Sequence, residues 1–198
     1  MNNIKLTVVI SVIFCFTSIL MAEADPKPKQ ELVITDSSFN CIRDMTKVRG
    51  LYLDNLLGNI EGTLATAKSE SGGVYPVGSV VQLVPTEVMV KRNKDFNSVT
   101  NDWEFFELSV SKSGSKIDKR GFADVVNRFG GNCFACHIKA DKKWDLICET
   151  DHGCGPIPLT PVMLSVIQKT DPRCDTNEPL SDNEKEAAVM LQKMFNQN

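Results

Sequence analysis

Histidine is scarce in this chain: His137 and His152 are the two among 198 residues. So few leave little room for a Ser-His-Asp arrangement, and none is discernible. A pair of carboxylates at a telling spacing is missing as well. Glu104 and Glu107 fall on opposite faces of an extended strand, which disfavours joint acid-base work. There is no basic block and the net charge is -3, so the cationic footprint that nucleic acid requires is lacking. No internal repeat is present. The long apolar run, over residues 6–20, is too short and too soon followed by polar residues to favour a membrane-spanning helix.

That run reads instead as part of an export leader over residues 1–24, with Lys5 ahead of it and Ala22-Glu23-Ala24 as a small-x-small cleavage pattern before Asp25. A retained anchor is the rival. Cleavage removes one Lys and one Glu, so the charge stays at -3. Residues 25–35, opening with "DPKPKQ", are expected to form a flexible tether. Residues 36–198 then make one domain of ordinary size. The expected location is the periplasm, with no membrane attachment once the leader is gone.

Six of the seven cysteines follow the leader. Two of them form the motif Cys133-Phe134-Ala135-Cys136-His137. A spacing of two residues lets one helical turn present both sulfurs to one edge of a haem as thioethers, and the adjacent histidine comes under the iron as its ligand. Export supports this, since haem c is normally attached after export in bacteria. The expected cofactor is one covalent haem c, with His137 on the metal. A redox dithiol is disfavoured because Gly130 and Gly131 break any strand leading into the motif. Zinc, with Cys148, His152 and Cys154 completing a set, is the other alternative, though exported cysteines usually pair. If haem takes Cys133 and Cys136, then Cys41, Cys148, Cys154 and Cys174 are left for two disulfides. Four cysteines allow three pairings and the sequence alone does not choose. The preferred pairing joins Cys148 to Cys154, closing a small polar loop, and Cys41 to Cys174, tying the N-terminal segment to the C-terminal region.

The rest of the pattern is mixed. Cys41, Ile42, Met45 and Val48 suit one face of a helix over residues 36–48. Leu51-Tyr52-Leu53 reads as a strand and residues 58–68 as a helix. About four antiparallel strands are expected between residues 75 and 120, including "SVVQLV", "EVMVKR" and "DWEFFELSVS". In the last of these, Phe106, Leu108 and Val110 share one face, and Trp103 and Phe105 the other. Residues 160–169, with Pro161 in the first turn, and residues 181–195, behind the capping box Ser181-Asp182-Asn183-Glu184, read as helices. The fold class is therefore α+β: an antiparallel sheet with flanking helices, the motif helix after the sheet, and a disulfide-stapled C-terminal extension.

Gly78-Ser79-Val80-Val81, Trp103-Glu104-Phe105-Phe106 and the motif with Asp145-Leu146-Ile147 downstream resemble the cytochrome P-460 and cytochrome c′-beta family over residues 75–147. The segment 148–198 is an extension beyond it. The resemblance implies a monohaem protein built on a sheet, with His137 as proximal ligand. It also implies an open distal site for a small ligand of the nitric oxide or hydroxylamine class. Trp103, Phe105 and Phe106 are candidate pocket walls. Hydroxylamine-oxidising members cross-link a lysine to haem; the matching position here is Leu83, and a shifted register would offer Lys91. If the chain is an enzyme, it is a haem-dependent oxidoreductase of small nitrogen compounds. The alternative is an electron-transfer cytochrome, with a redox partner protein and Met163 or His152 as sixth ligand. Both residues also have plainer explanations, Met163 as helix core and His152 as a structural residue of a closed loop.

Overall fold

Runs of β-branched and aromatic residues between residues 46 and 121 build a six-stranded antiparallel sheet in the computed structural model, which describes residues 32–176 and 178–195. The leader and residues 25–31 of the tether lie outside the described residues. The strands are β1 (Thr46–Val48), β2 (Leu51–Asn55), β3 (Ser79–Gln82), β4 (Glu87–Lys91), β5 (Trp103–Ser111) and β6 (Gly114–Gly121). They pair in chain order as a meander, and helix α1 (Ile60–Lys68) connects β2 to β3. Asn59 caps α1 through its side chain, which accepts from the Gly62 N–H. The four strands expected between residues 75 and 120 are β3 to β6, and the sheet is extended to six because β1 and β2, the latter containing the expected strand Leu51–Leu53, join it from the N-terminal side.

Alternation along β4 and β5 sends side chains into two separate apolar layers. Met89, Trp103 and Phe105 pack on one face with Leu53, Tyr75 and Leu146. Val88, Val90, Phe106 and Leu108 pack on the other with Leu32, Ile34 and Phe39. Leu32 and Ile34 are only 3% and 6% exposed. The flexible tether therefore does not reach residue 35, and the packed unit begins at Leu32. The physical reason is local: alternating apolar residues in "LVI" find an apolar sheet face to cover. This segment also runs beside β6. The Ile117 N–H donates to Asp36 Oδ1 at 2.7 Å and the Ser115 hydroxyl to the Phe39 carbonyl at 2.6 Å. Those contacts cover an edge that would otherwise be open to pairing.

The helix expected over residues 36–48 does not form. Short 3-10 turns occupy Asp36–Ser38 and Ile42–Asp44, and Thr46–Val48 becomes β1. Helical spacing of Cys41, Ile42, Met45 and Val48 is overridden by two tertiary ties. One is pairing of Thr46 with Leu53 and Val48 with Leu51 across the β1–β2 hairpin. The other is the Cys41–Cys174 disulfide.

Helices α2 (Cys133–His137), α3 (Pro161–Lys169) and α4 (Asp182–Phe195) follow the sheet. Thr160 caps α3, accepting from the Met163 N–H at 3.2 Å, and Pro161 opens it. Met163, Val166, Ala187 and Leu191 form a third apolar cluster between α3 and α4. Gln168 fastens α3 to the sheet. Its Nε2 donates to the Leu83 and Gly50 carbonyls at 2.8 and 3.1 Å, and its Oε1 accepts from Lys47 Nζ at 2.9 Å.

The capping box on α4 closes as expected, with the Ser181 N–H donating to Glu184 Oε2 at 2.8 Å and the Glu184 N–H to Ser181 Oγ at 3.4 Å. Glu184 also accepts from Lys169 Nζ at 3.0 Å and from Ser165 Oγ at 2.6 Å. Lys169 first, then Ser165 and the Ser181 N–H, hold its carboxyl down to about 2. An unfolded glutamate titrates near ~4.3. A depressed folded value means the stabilisation is complete above that pH and is lost as pH falls toward about 2. Amide protection in α3 and α4 is therefore expected to drop over this acid range. In Glu184→Gln it should be lower at neutral pH and insensitive to the same acidification, which hydrogen exchange would show.

Candidate haem attachment site

Helix α2 is one turn long and starts where the chain permits it. Gly130 adopts φ +80°, a conformation costly for other residues. Asn132 then caps the turn, its side chain accepting from the Ala135 N–H at 2.7 Å. Cys133 and Cys136 are unpaired and half-buried on this turn. Phe129 and Ile138, on either side of the motif, are 47% and 51% exposed.

The four other described cysteines are used up. Cys41 bonds to Cys174 and Cys148 to Cys154, with Cα–Cα distances of 4.8 and 5.6 Å. The preferred pairing is the one observed. A zinc set drawing on Cys148 and Cys154 loses both of those sulfurs. Cys41, Asp171 and Cys174 place ligand-type atoms close together, but two of the three atoms are the bonded sulfurs of a disulfide. A dithiol nucleophile is also poorly served. Burial first, then the nearby Glu87 and Glu107 carboxylates, push the Cys133 thiol up to about 11, whereas reactive thiols of this spacing are driven down.

His137 is aimed by a second turn. Its Nδ1 lies 2.7 Å from the Leu146 carbonyl oxygen. A carbonyl can only accept, so Nδ1 carries the proton and Nε2 keeps the lone pair that a metal requires. Burial pulls the His137 ring down from its ordinary value, which favours this neutral form. The ring centroid lies 5.4 Å from that of Phe105.

The carbonyl of Leu146 points this way because the backbone is in the left-handed region at both Asp145, φ +49°, and Leu146, φ +66°. A branched residue such as leucine in that region costs on the order of 1–3 kcal/mol, and the surroundings hold it there. The Asp145 carbonyl accepts from Trp103 Nε1 at 2.7 Å. Its carboxylate accepts from Lys91 Nζ at 2.7 and 2.9 Å and from the Tyr75 N–H at 2.9 Å. Burial pushes this carboxyl up, and Lys91 opposes that.

The motif side of the sheet is thus a row of three cross-strand pairs between β4 and β5: Lys91 with Trp103, Met89 with Phe105, and Glu87 with Glu107. Asp145 engages the first pair and His137 sits by Phe105 of the second. Cys133 lies in the field of the third. Lys91 is on this face, but its ammonium is engaged by Asp145 and by the Asn101 carbonyl at 2.6 Å. Phe106, a candidate pocket wall, lies on the opposite face, against Phe39 at 5.2 Å. It is not brought to the motif. Strand alternation makes Phe105 and Phe106 exclusive choices, and Phe105 is the one beside His137. A cleft of about 160 Å³ lined by Phe39, Met45, Asp54 and Gln82 also belongs to that far side.

The two alternative sixth ligands occupy other settings. Met163 is packed in the α3–α4 cluster. His152 is buried, stacked on Trp144 at 3.8 Å, with Nδ1 2.8 Å from the Ile147 carbonyl oxygen. Asp145 and the Glu87–Glu107 pair were not legible as functional groups. The period-2 patterns of "EVMVK" and "EFFEL" put each glutamate on a face, but only the register aligns them. No family model, curated protein or solved structure matches the chain.

Proposed function

We propose that this chain is an exported monohaem c-type cytochrome resembling the P-460 and c′-beta proteins, with an open site for a small ligand of the nitric oxide or hydroxylamine class. The observation that carries this reading is the geometry of His137. It directly follows two unpaired cysteines on one helical turn, and its Nδ1 is spent on a backbone carbonyl so that Nε2 is the available donor. Four other cysteines are already paired, which isolates Cys133 and Cys136 as the two for thioether attachment.

Haem, when bound, would supply an iron able to take a small ligand. The protein's own contribution is positional. Leu146 fixes the tautomer and the direction of His137. Asp145 fixes Leu146 through Trp103, Lys91 and Tyr75. Phe105, beside His137, is apolar and offers iron no donor atom. Lys91 is drawn away by a buried ion pair, which argues for an ordinary attachment through the cysteines alone and against a cross-link at this lysine. A redox partner protein would serve either the ligand-binding or the carrier role.

The carrier alternative needs sulfur or imidazole from Met163 or His152, and both side chains are engaged elsewhere. An optical and spin-state study decides between the two. The expected result is a pyridine haemochrome of haem c type, a high-spin ferric form and a ferrous form that takes up carbon monoxide. A low-spin resting spectrum lost in Met163→Ala or His152→Ala would move the protein to the carrier class.

A further inference from the structure

The third cross-strand pair on the motif face is unlike the other two. Glu87 and Glu107 stand directly opposite one another on β4 and β5. Directly opposed residues share a face, with Cβ atoms roughly 4.5–5.5 Å apart, and like charges placed so are destabilising. Glu107 is 4% exposed. Its Oε1 accepts from Arg128 Nε at 2.8 Å, and its Oε2 is buried without a hydrogen-bond partner among the described residues. Glu87 is half-buried and accepts from Asn127 Nδ2 at 3.1 Å. Arg128 from the loop after β6 and Lys119 opposite Glu107 on β6 are the facing cations, and Lys119 Nζ is turned to the Val126 carbonyl at 3.1 Å. The Cys133 thiol completes the surroundings from α2.

Two ionised carboxylates here would leave Glu107 Oε2 desolvated and unpaired, at a cost on the order of 1–3 kcal/mol or more for a charged group. A proton on Glu87 removes the repulsion and creates the missing donor at once. The field acts in that direction. Burial, followed by the Glu107 charge, pushes the Glu87 carboxyl up, while Asn127 and Arg128 oppose it.

We propose that Glu87 and Glu107 hold one proton between them, Glu87 O–H donating to Glu107 Oε2, and that this pair is the proton-exchange site coupled to electron transfer at the group carried by Cys133 and His137. The coupling rests on the haem assignment; the shared proton does not. The balance is simple. With haem bound, one-electron reduction by a donor such as dithionite would be balanced by uptake of one proton from water, through half-exposed Glu87, over the pH range in which the oxidised protein has lost the shared proton. Oxidation by a one-electron acceptor would return that proton. These two residues are positioning groups, since they act on the iron through its local field.

The test uses the exported full chain with ¹³C-labelled glutamate, and Glu87→Gln and Glu107→Gln to assign the signals. Glu87 is expected to titrate above the ordinary glutamate value and to shift down in Glu107→Gln. Titration of both groups in the ordinary range would overturn the shared proton. In the haem-loaded protein the midpoint potential should fall as pH rises across the pair's titration, by at most about 59 mV per pH unit, the limit of one proton per electron. Glu87→Gln, whose amide can still donate to Glu107, should abolish that slope and keep the fold. A potential independent of pH in the wild type would overturn the coupling. A colourless protein with a protonated Glu87 would remove the haem assignment and leave the one-proton pair standing.

Discussion

Cys133→Ala combined with Cys136→Ala is expected to give an exported protein from which acid-acetone extracts all pigment, whereas the unaltered chain should keep its haem through the same treatment. The effect is complete because attachment depends on two thioether bonds and no other described cysteine is free to replace them. Cys41, Cys174, Cys148 and Cys154 are all paired. The fold should tolerate the change. Both residues are half-buried, and the turn is held by the Asn132 cap and by the Cys133 N–H donating to the Val125 carbonyl at 3.0 Å. Alanine keeps that backbone contact. Single substitutions should each leave one thioether and a resistant pigment. Covalent pigment surviving in the double variant would defeat the assignment.

Loss of the Cys41–Cys174 bridge should cause the largest change in stability. The bond closes a sequence separation of 133 residues. On the chain-entropy account such a loop stabilises by about 5 kcal/mol, against roughly 2 kcal/mol for the short Cys148–Cys154 loop. Domains are stable by only about 5–15 kcal/mol in total, so Cys41→Ala/Cys174→Ala should melt some 10–20 °C lower at this chain length. The bridge is not alone at that junction. Asp171 is fully buried, accepts from the Ile42 N–H at 2.9 Å and pairs with Arg173 at 2.8 Å. If these contacts carry the junction, the two disulfide variants will melt within a few degrees of each other, and the entropic account fails here.

Much of the fold was legible from local pattern. Alternation gave β3, β4 and β5 and assigned the two faces of β5 correctly, because a strand's side chains alternate whatever it pairs with. Pro161 in the first turn marked α3 and the capping box at Ser181 marked α4, because such signals act on helix ends within a few residues of themselves. The cysteine motif was legible as a unit, since both sulfurs and the imidazole lie on the single short turn Cys133–His137. In each case the deciding contacts join residues close in sequence.

The helix over residues 36–48 failed for the opposite reason. Its spacing was compatible with a helix, but β1–β2 pairing and a bond to Cys174 outweigh the weak propensity of a short segment. The face to which Phe106 points was readable, but which face carries His137 was not. Glu107 could be compared only with Glu104 along its own strand. Its real neighbour is Glu87, twenty residues earlier, brought opposite by the β4–β5 register. Asp145 was visible as part of a short motif, yet its role came from Lys91, Trp103 and Tyr75 converging on it from elsewhere in the chain. The sequence by itself determined most of the elements and the spacing of the cysteine motif, which are governed by near-neighbour geometry and covalent connection. Only the tertiary structure decided which face of the sheet serves the motif, how its histidine is aimed and which carboxylates share a field, because those depend on strand register and on long-range closure.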